Sequence, residues 1–151
     1  WWRPNPRWSF GAIYQTKTSS TFDGGTLRVN FQQMPGLGQK VDYEAEMAVV
    51  IGTRVPRHVA QADALQHVFG YSCFNDMSVR DYQKRTTQWT IGKNFDGTGG
   101  FGPCLVTADE LPPGCTGLHI ESRLNGQVMQ SATTSDMMFG VARNAASCSI
   151  G

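Results

Sequence analysis

Between Thr26 and Phe31 apolar and polar positions alternate, which predicts a half-buried strand. Phe22-Asp23-Gly24-Gly25 before it and Pro35-Gly36-Leu37-Gly38 after it predict turns. Residues 41–52 predict a longer strand. Its end, residues 47–51, is apolar on both faces, the pattern of a central, buried position. The period then changes. Val59, Ala62, Leu65 and Phe69 form a stripe between Pro56 and Gly70, and predict a helix opened by the proline and closed by the glycine. Residues 71–74 predict a short strand, and Asn75-Asp76 offer N-cap chemistry for a turn or helix reaching about Arg85. The Gly-rich stretch 92–103 predicts a loop. Thr107 and Glu110 are spaced as a capping box. Asn125-Gly126 between residues 118–124 and 127–130 predicts a hairpin with a type I′ turn. Thr133-Thr134-Ser135-Asp136 before an apolar Met-Met-Phe predicts the start of a last helix. Residues 1–16 show no clear period, although they hold three of the four tryptophans. The outline is α+β, mostly β, with short helices. The alternating βαβ rhythm of a dinucleotide fold is missing.

Composition narrows the classes. A chain of 151 residues is one domain or part of one. Lys plus Arg number 13 and Asp plus Glu 12, so the basic surplus of a nucleic-acid module is lacking. With 40% hydrophobic and 17% charged residues this is a folding composition. No apolar run approaches the roughly 18 residues of a membrane span. WWRPNPRWSF contains no h-region, so a cytoplasmic chain is expected. Cys73, Cys104, Cys115 and Cys148 show no CxxC spacing, which argues against zinc-knuckle and thioredoxin-type sites and for free thiols.

Glu44 and Glu46 are the most informative pair. Residues i and i+2 of a strand share a face, so two carboxylates stand side by side at the mouth of a buried strand. Repulsion and desolvation disfavour that arrangement, and a hard divalent cation relieves both. The plainer reading is a solvated strand end, and Glu-x-Glu alone favours it. Asp76 adds a third carboxylate. If the following segment is helical, Asp76, Arg80 and Gln83 line one face, able to serve a metal and an anionic ligand. A surface N-cap with an i,i+4 ion pair is the competing reading. Lys93 follows Gly92 but lacks the GxxxxGK[ST] frame, which excludes a phosphate loop. It remains a candidate cation beside a glycine loop. His58 and His67 read as surface residues. His119 alternates with Leu118 and Ile120 in a strand, and no GxSxG accompanies any histidine.

Five segments in order, DYEAEMAVVIG, GYSCFNDMSVRDYQ, QWTIGKNFDGTGGFGPCLVTADELP, LNGQVMQ and TTSDMMF, resemble the fumarylacetoacetate hydrolase family over roughly residues 17–142. The resemblance implies a mixed β-sandwich roll, usually homodimeric. It implies metal ligation by Glu44, Glu46 and Asp76, with Mg²⁺ or Mn²⁺, or else Ca²⁺. It implies small-molecule 2-oxo or 1,3-dioxo acid substrates, contacted by Arg80, Gln83, Lys93 and Thr134, with Lys93 and Gln83 in the catalytic roles. Lys17 resembles the lysine of the family's F-x-K-P segment, with Thr18 in place of the proline. The upstream N-Y-x-x-H-x-x-E segment, whose His and Glu activate water, has no match here. Residues 1–16 and 143–151 diverge from the family pattern, so the expected domain is a single partial catalytic domain. The implied activity is metal-dependent carbon–carbon hydrolysis. An oxaloacetate-type decarboxylase and an inactive metal-binding remnant are the alternatives.

Overall fold

The computed structural model describes residues 7–13, 20–23, 26–30, 40–52, 56–95 and 98–149, with strand paths alone for those before residue 40. The strands are β1 (Arg7–Ile13), β2 (Ser20–Asp23), β3 (Thr26–Asn30), β4 (Val41–Asp42), β5 (Ala45–Ile51), β6 (Val68–Asp76), β7 (Ser78–Val79), β8 (Gly99–Phe101), β9 (Val106–Thr107), β10 (His119–Leu124) and β11 (Gln127–Thr133). Two α-helices, α1 (Arg80–Gln83) and α2 (Val141–Cys148), and several 3₁₀ turns complete the described chain. Mostly-sheet architecture with short helices is as expected.

One mixed sheet runs β11-β10-β1-β3-β2, with β1 parallel to both β10 and β3. A second runs β5-β6-β8, with β9 also pairing β6, and β4 pairs β7 in a short ladder. The core lies on one face of the second sheet. Val68, Tyr71, Cys115 and Val141 are buried there, with Met47, Val49, Leu65, Leu111 and Leu118 packed around them. All four cysteines are free thiols. No described helix is long and apolar enough to cross a membrane.

The hairpin forms as the sequence predicts. Asn125 and Gly126 have φ of 51° and 83°, the paired positive values of a type I′ turn. Strand β3 falls where alternation predicts it, whereas the two flanking turns, at Gly24-Gly25 and residues 35–38, lie outside the described residues, as does Lys17.

Several expectations are corrected. Residues 56–70 are not one helix. A 3₁₀ segment covers Gln61–His67, and Val68 already starts β6. Ladder pairing decides this: Val68 opposes Ile51, and Gly70 opposes both Val50 and Thr107. Gly70 is therefore no helix stop. A Cβ there would collide with the Val106 carbonyl oxygen, so only glycine lets β9 approach. The central, buried strand is β6. Strand β5 ends its described sheet and is only half-buried, because β6 is the strand paired on both edges. Within the glycine-rich stretch, Gly99–Phe101 is a strand pairing Phe74, Asn75 and Asp76. The last helix begins after Gly140, and residues Thr134–Asp136 form a separate 3₁₀ turn. Thr107 Oγ1 bonds the Glu110 carboxylate at 3.1 Å and makes no side-chain cap bond.

Candidate metal centre

Register alone places three carboxylates on one face. Ala45 opposes Asn75, and the Asp76 amide donates to the Glu44 carbonyl at 3.1 Å, so Glu44 lies across from Asp76. Glu46 is two residues along and shares that face. Glu44, Glu46 and Asp76 each bring a carboxylate oxygen within 4.8 Å of the others. Across from Asp76 on its other side is Gly99, where a Cβ would come within 3.3 Å of the Phe74 ring.

Asp76 thus enters the site as a strand residue. The N-cap reading is corrected: the cap of α1 is Val79, three residues on, and no side chain caps it. The acid–cation–amide face on a single helix is corrected with it, since only Arg80 and Gln83 are helical. The cluster assembles anyway, because β6 and α1 are consecutive and β7 turns the chain back beside β4.

Two cations hold the cluster. Lys93 Nζ lies 2.7 Å from Asp76 Oδ2 and 3.0 Å from Glu44 Oε1. Arg80 binds Asp42 through Nε and Nη2 at 3.0 and 2.8 Å, Glu44 through Nη2 at 3.0 Å, and Gln83 Oε1 through Nη1 at 2.6 Å. The fully buried Ser78 hydroxyl adds a bond to Glu44 at 3.2 Å. Burial pushes the Glu44 carboxyl up, but Lys93, Ser78 and Arg80 outweigh it and hold the group below its ordinary range. Burial would likewise lower the Lys93 ammonium, and its bonds to Asp76 and Glu44 reverse that. Arg80 is raised by its Asp42 hydrogen bond, against partial desolvation. Glu46 behaves differently. Desolvation, then repulsion from Asp76 and Glu44, push its carboxyl up, and Lys93 offsets this only in part. Among the described residues it has no hydrogen-bond or ion-pair partner. A cluster of hard oxygen donors with one carboxylate left uncompensated fits a divalent cation such as Mg²⁺, Mn²⁺ or Ca²⁺.

Gln83 is buried beside the cluster and lines an open cleft of about 360 Å³ with Glu44, Arg80, Lys84 and Trp89. Thr134 stands apart from it. Its hydroxyl donates to the Cys115 carbonyl at 2.6 Å and accepts from the Leu118 amide at 2.9 Å, and it lines a separate interior cavity that Glu46 also touches. Sequence reasoning missed Asp42, Ser78, Lys84 and Trp89. Asp42 was accessible, since Asp42, Glu44 and Glu46 continue one i, i+2 alternation. Ser78 was not, because its role comes from the β4–β7 pairing.

The model of the fumarylacetoacetate (FAA) hydrolase C-terminal family matches residues 3–150. The oxaloacetate tautomerase YisK of Bacillus subtilis is 44% identical over 102 residues, which are 68% of this chain and 33% of that protein. A fumarylacetoacetate hydrolase from psychrophilic Exiguobacterium antarcticum superposes with a TM-score of 0.69 at 42% identity, covering 75% of this chain and 40% of the other. Fumarylpyruvate hydrolase from Pseudomonas aeruginosa, solved with Mn²⁺ and pyruvate, gives 0.69 at 28% identity, covering 78% and 51%. The chain spans between 33% and 41% of the length of the first curated relatives it matches.

Proposed function

This chain belongs to the fumarylacetoacetate hydrolase family, and from that premise we propose that it binds a 2-oxo acid at a divalent cation held by Glu44, Glu46 and Asp76. The observation that carries the reading is the three-carboxylate cluster, with the uncompensated Glu46 at its edge. The cation, Mg²⁺ or Mn²⁺, would supply Lewis-acid polarisation of the substrate's oxygens. Lys93 is fixed by two carboxylates at the cluster and keeps positive charge beside the oxygen where an enolate develops. Arg80 holds the Gln83 amide oxygen, which leaves the NH₂ group of this cleft-lining residue as the donor for a ligand. Among the described residues four of the five Arg80 N–H groups are engaged, which leaves one for a substrate carboxylate. Thr134, with both neighbours fixed by its hydroxyl, shapes the wall beyond Glu46.

Stabilising an enolate serves carbon–carbon hydrolysis of an acylpyruvate, the activity expected from the sequence. It serves keto–enol tautomerisation equally well. The comparisons support both readings, since the named tautomerase is 44% identical and the named fumarylacetoacetate hydrolase 42%. We include a homodimer in the proposal, because Phe69, Phe101 and Met138 expose 49%, 51% and 87% of their surface. The test is turnover of enol-oxaloacetate and of an acylpyruvate by the purified chain with Mn²⁺. We expect metal-dependent loss of the enol and its abolition in Glu46→Gln. Turnover unchanged by that substitution would contradict the metal site.

A further inference from the structure

The peptide that joins Glu44 to Ala45 is gripped from both sides. Its carbonyl accepts from the Asp76 amide on β6 at 3.1 Å. A trans peptide points its N–H the opposite way, so the Ala45 amide faces away from β6. Strand β5 ends its described sheet, and no described strand pairs that edge. The acceptor comes from the other sheet instead. Gln130 Oε1, on β11, takes the Ala45 N–H at 3.0 Å. The preceding amide is also held by a side chain, with the Glu44 N–H donating to Asn75 Oδ1 at 3.3 Å.

Gln130 is itself fixed. The same oxygen accepts from Ser122 Oγ at 2.8 Å, and Ser122 is buried on β10. Two donors converge on one atom, so this amide presents its oxygen here and not its NH₂ group. The hairpin carries an irregularity at this point. Ser122 opposes Gln130 and Arg123 opposes Val128, which leaves Met129 as the extra residue of a β-bulge. A bulge bends its strand and re-aims the side chains beside it. Gln130 nevertheless lies in a run of exposed residues, where a side chain adds little to the stability of the fold. The consequence of its two bonds is local.

That consequence is the spacing of two carboxylates. Glu44 and Glu46 flank Ala45, and their oxygens stand within 4.8 Å of each other and of Asp76 with this stretch extended and in register. Turning the Glu44–Ala45 peptide would swing Glu44 out of line with Glu46. Repulsion between the two carboxylates favours that turn when no cation is bound.

We propose that Gln130 is a positioning residue for the metal centre, holding the Glu44–Ala45 peptide from the opposite sheet so that Glu44 and Glu46 stay preset for one cation. It acts through the backbone of β5 and is not itself a ligand. This rests on the metal-centre reading above.

The experiment compares Gln130→Met and Gln130→Glu with the parent chain. Mn²⁺ affinity is measured by calorimetry, and Ala45 amide exchange and the melting midpoint are measured in EDTA. Methionine keeps the length and removes the acceptor. It should weaken Mn²⁺ binding about tenfold and speed Ala45 exchange several-fold, with the EDTA midpoint close to that of the parent. Glutamate keeps an oxygen for both donors and should restore slow Ala45 exchange together with Mn²⁺ binding. The exchange rate separates the acceptor from the added charge. Mn²⁺ affinity within about twofold of the parent in Gln130→Met would overturn the proposal, as would unchanged Ala45 exchange in that variant. A loss of affinity matched by a lower EDTA midpoint would make Gln130 a purely structural residue and overturn it as well. Each of these outcomes leaves the metal-centre reading standing. Failure of the parent chain to bind Mn²⁺ would overturn that reading, and the inference with it.

Discussion

Glu46 and Glu121 are carboxylates with opposite surroundings, and each shows what one residue contributes. Desolvation, then repulsion from Asp76 and Glu44, favours the neutral form of Glu46. It is a poor contributor to stability and a good candidate ligand. Glu121 is 6% exposed and accepts from Arg123 at 2.6 Å and from His119 at 3.1 Å. Those two bonds, against a smaller desolvation cost, hold its carboxyl below the ordinary range. A depressed folded-state value means that ionised Glu121 stabilises the fold above its unfolded value of 4.5, and that this is lost as pH falls through the lower folded value. Acid denaturation of Glu121→Gln should therefore show a flatter limb below about pH 4.5 than the parent chain, with lower stability at neutral pH. Identical acid limbs would contradict the assignment.

At the scale of elements, the candidate site was legible wherever the information is local. Glu-x-Glu on a strand fixes a shared face through a period of two, and the structure keeps it. Asn125-Gly126 fixes its turn because few residues adopt positive φ. The misread elements are those that long-range pairing decides. Val59, Ala62, Leu65 and Phe69 do fit a helical stripe, yet the ladder from β6 to β5 and β9 claims the chain from Val68 onward. Asp76 was readable as the end of a strand in the same sheet, but the register that sets it beside Glu44 is invisible in one sequence. Gly92 belongs to the same scale. A Cβ there would meet Gln83 Cβ at 2.6 Å and the Gln83 Cα and N at 2.9 Å, so the turn bearing Lys93 packs directly on α1. Gly92→Ala must separate the two. We expect a loss of about 1–3 kcal/mol in denaturant unfolding and weaker metal binding, because Lys93 and Gln83 move together. Parent-like stability and metal affinity would show that the close approach is dispensable.

For the whole molecule, the least legible part is the mixed sheet. β1 comes from a stretch with no readable period, and it is paired in parallel to β10, more than a hundred residues away. No local pattern encodes such a contact. What that sheet does for the site is indirect. Its β10–β11 edge meets the start of β5, where the Ala45 amide donates to Gln130 Oε1 at 3.0 Å, and the same oxygen accepts from Ser122 Oγ at 2.8 Å. The residues that carry the carboxylates are thus braced from the second layer.

The central claim is that Glu44, Glu46 and Asp76 form a metal site able to hold a 2-oxo-acid chelate. The most direct test is the thermal melt of the purified chain with EDTA, then with Mg²⁺ or Mn²⁺, then with metal and oxalate, which mimics the enolate of a 2-oxo acid. The account predicts one cooperative transition that rises with metal and rises again with oxalate only when metal is present. In Glu46→Gln both rises should disappear while the EDTA midpoint stays equal or higher, since a repelled carboxylate has been removed. A midpoint indifferent to metal, or an oxalate shift that survives EDTA, would contradict it.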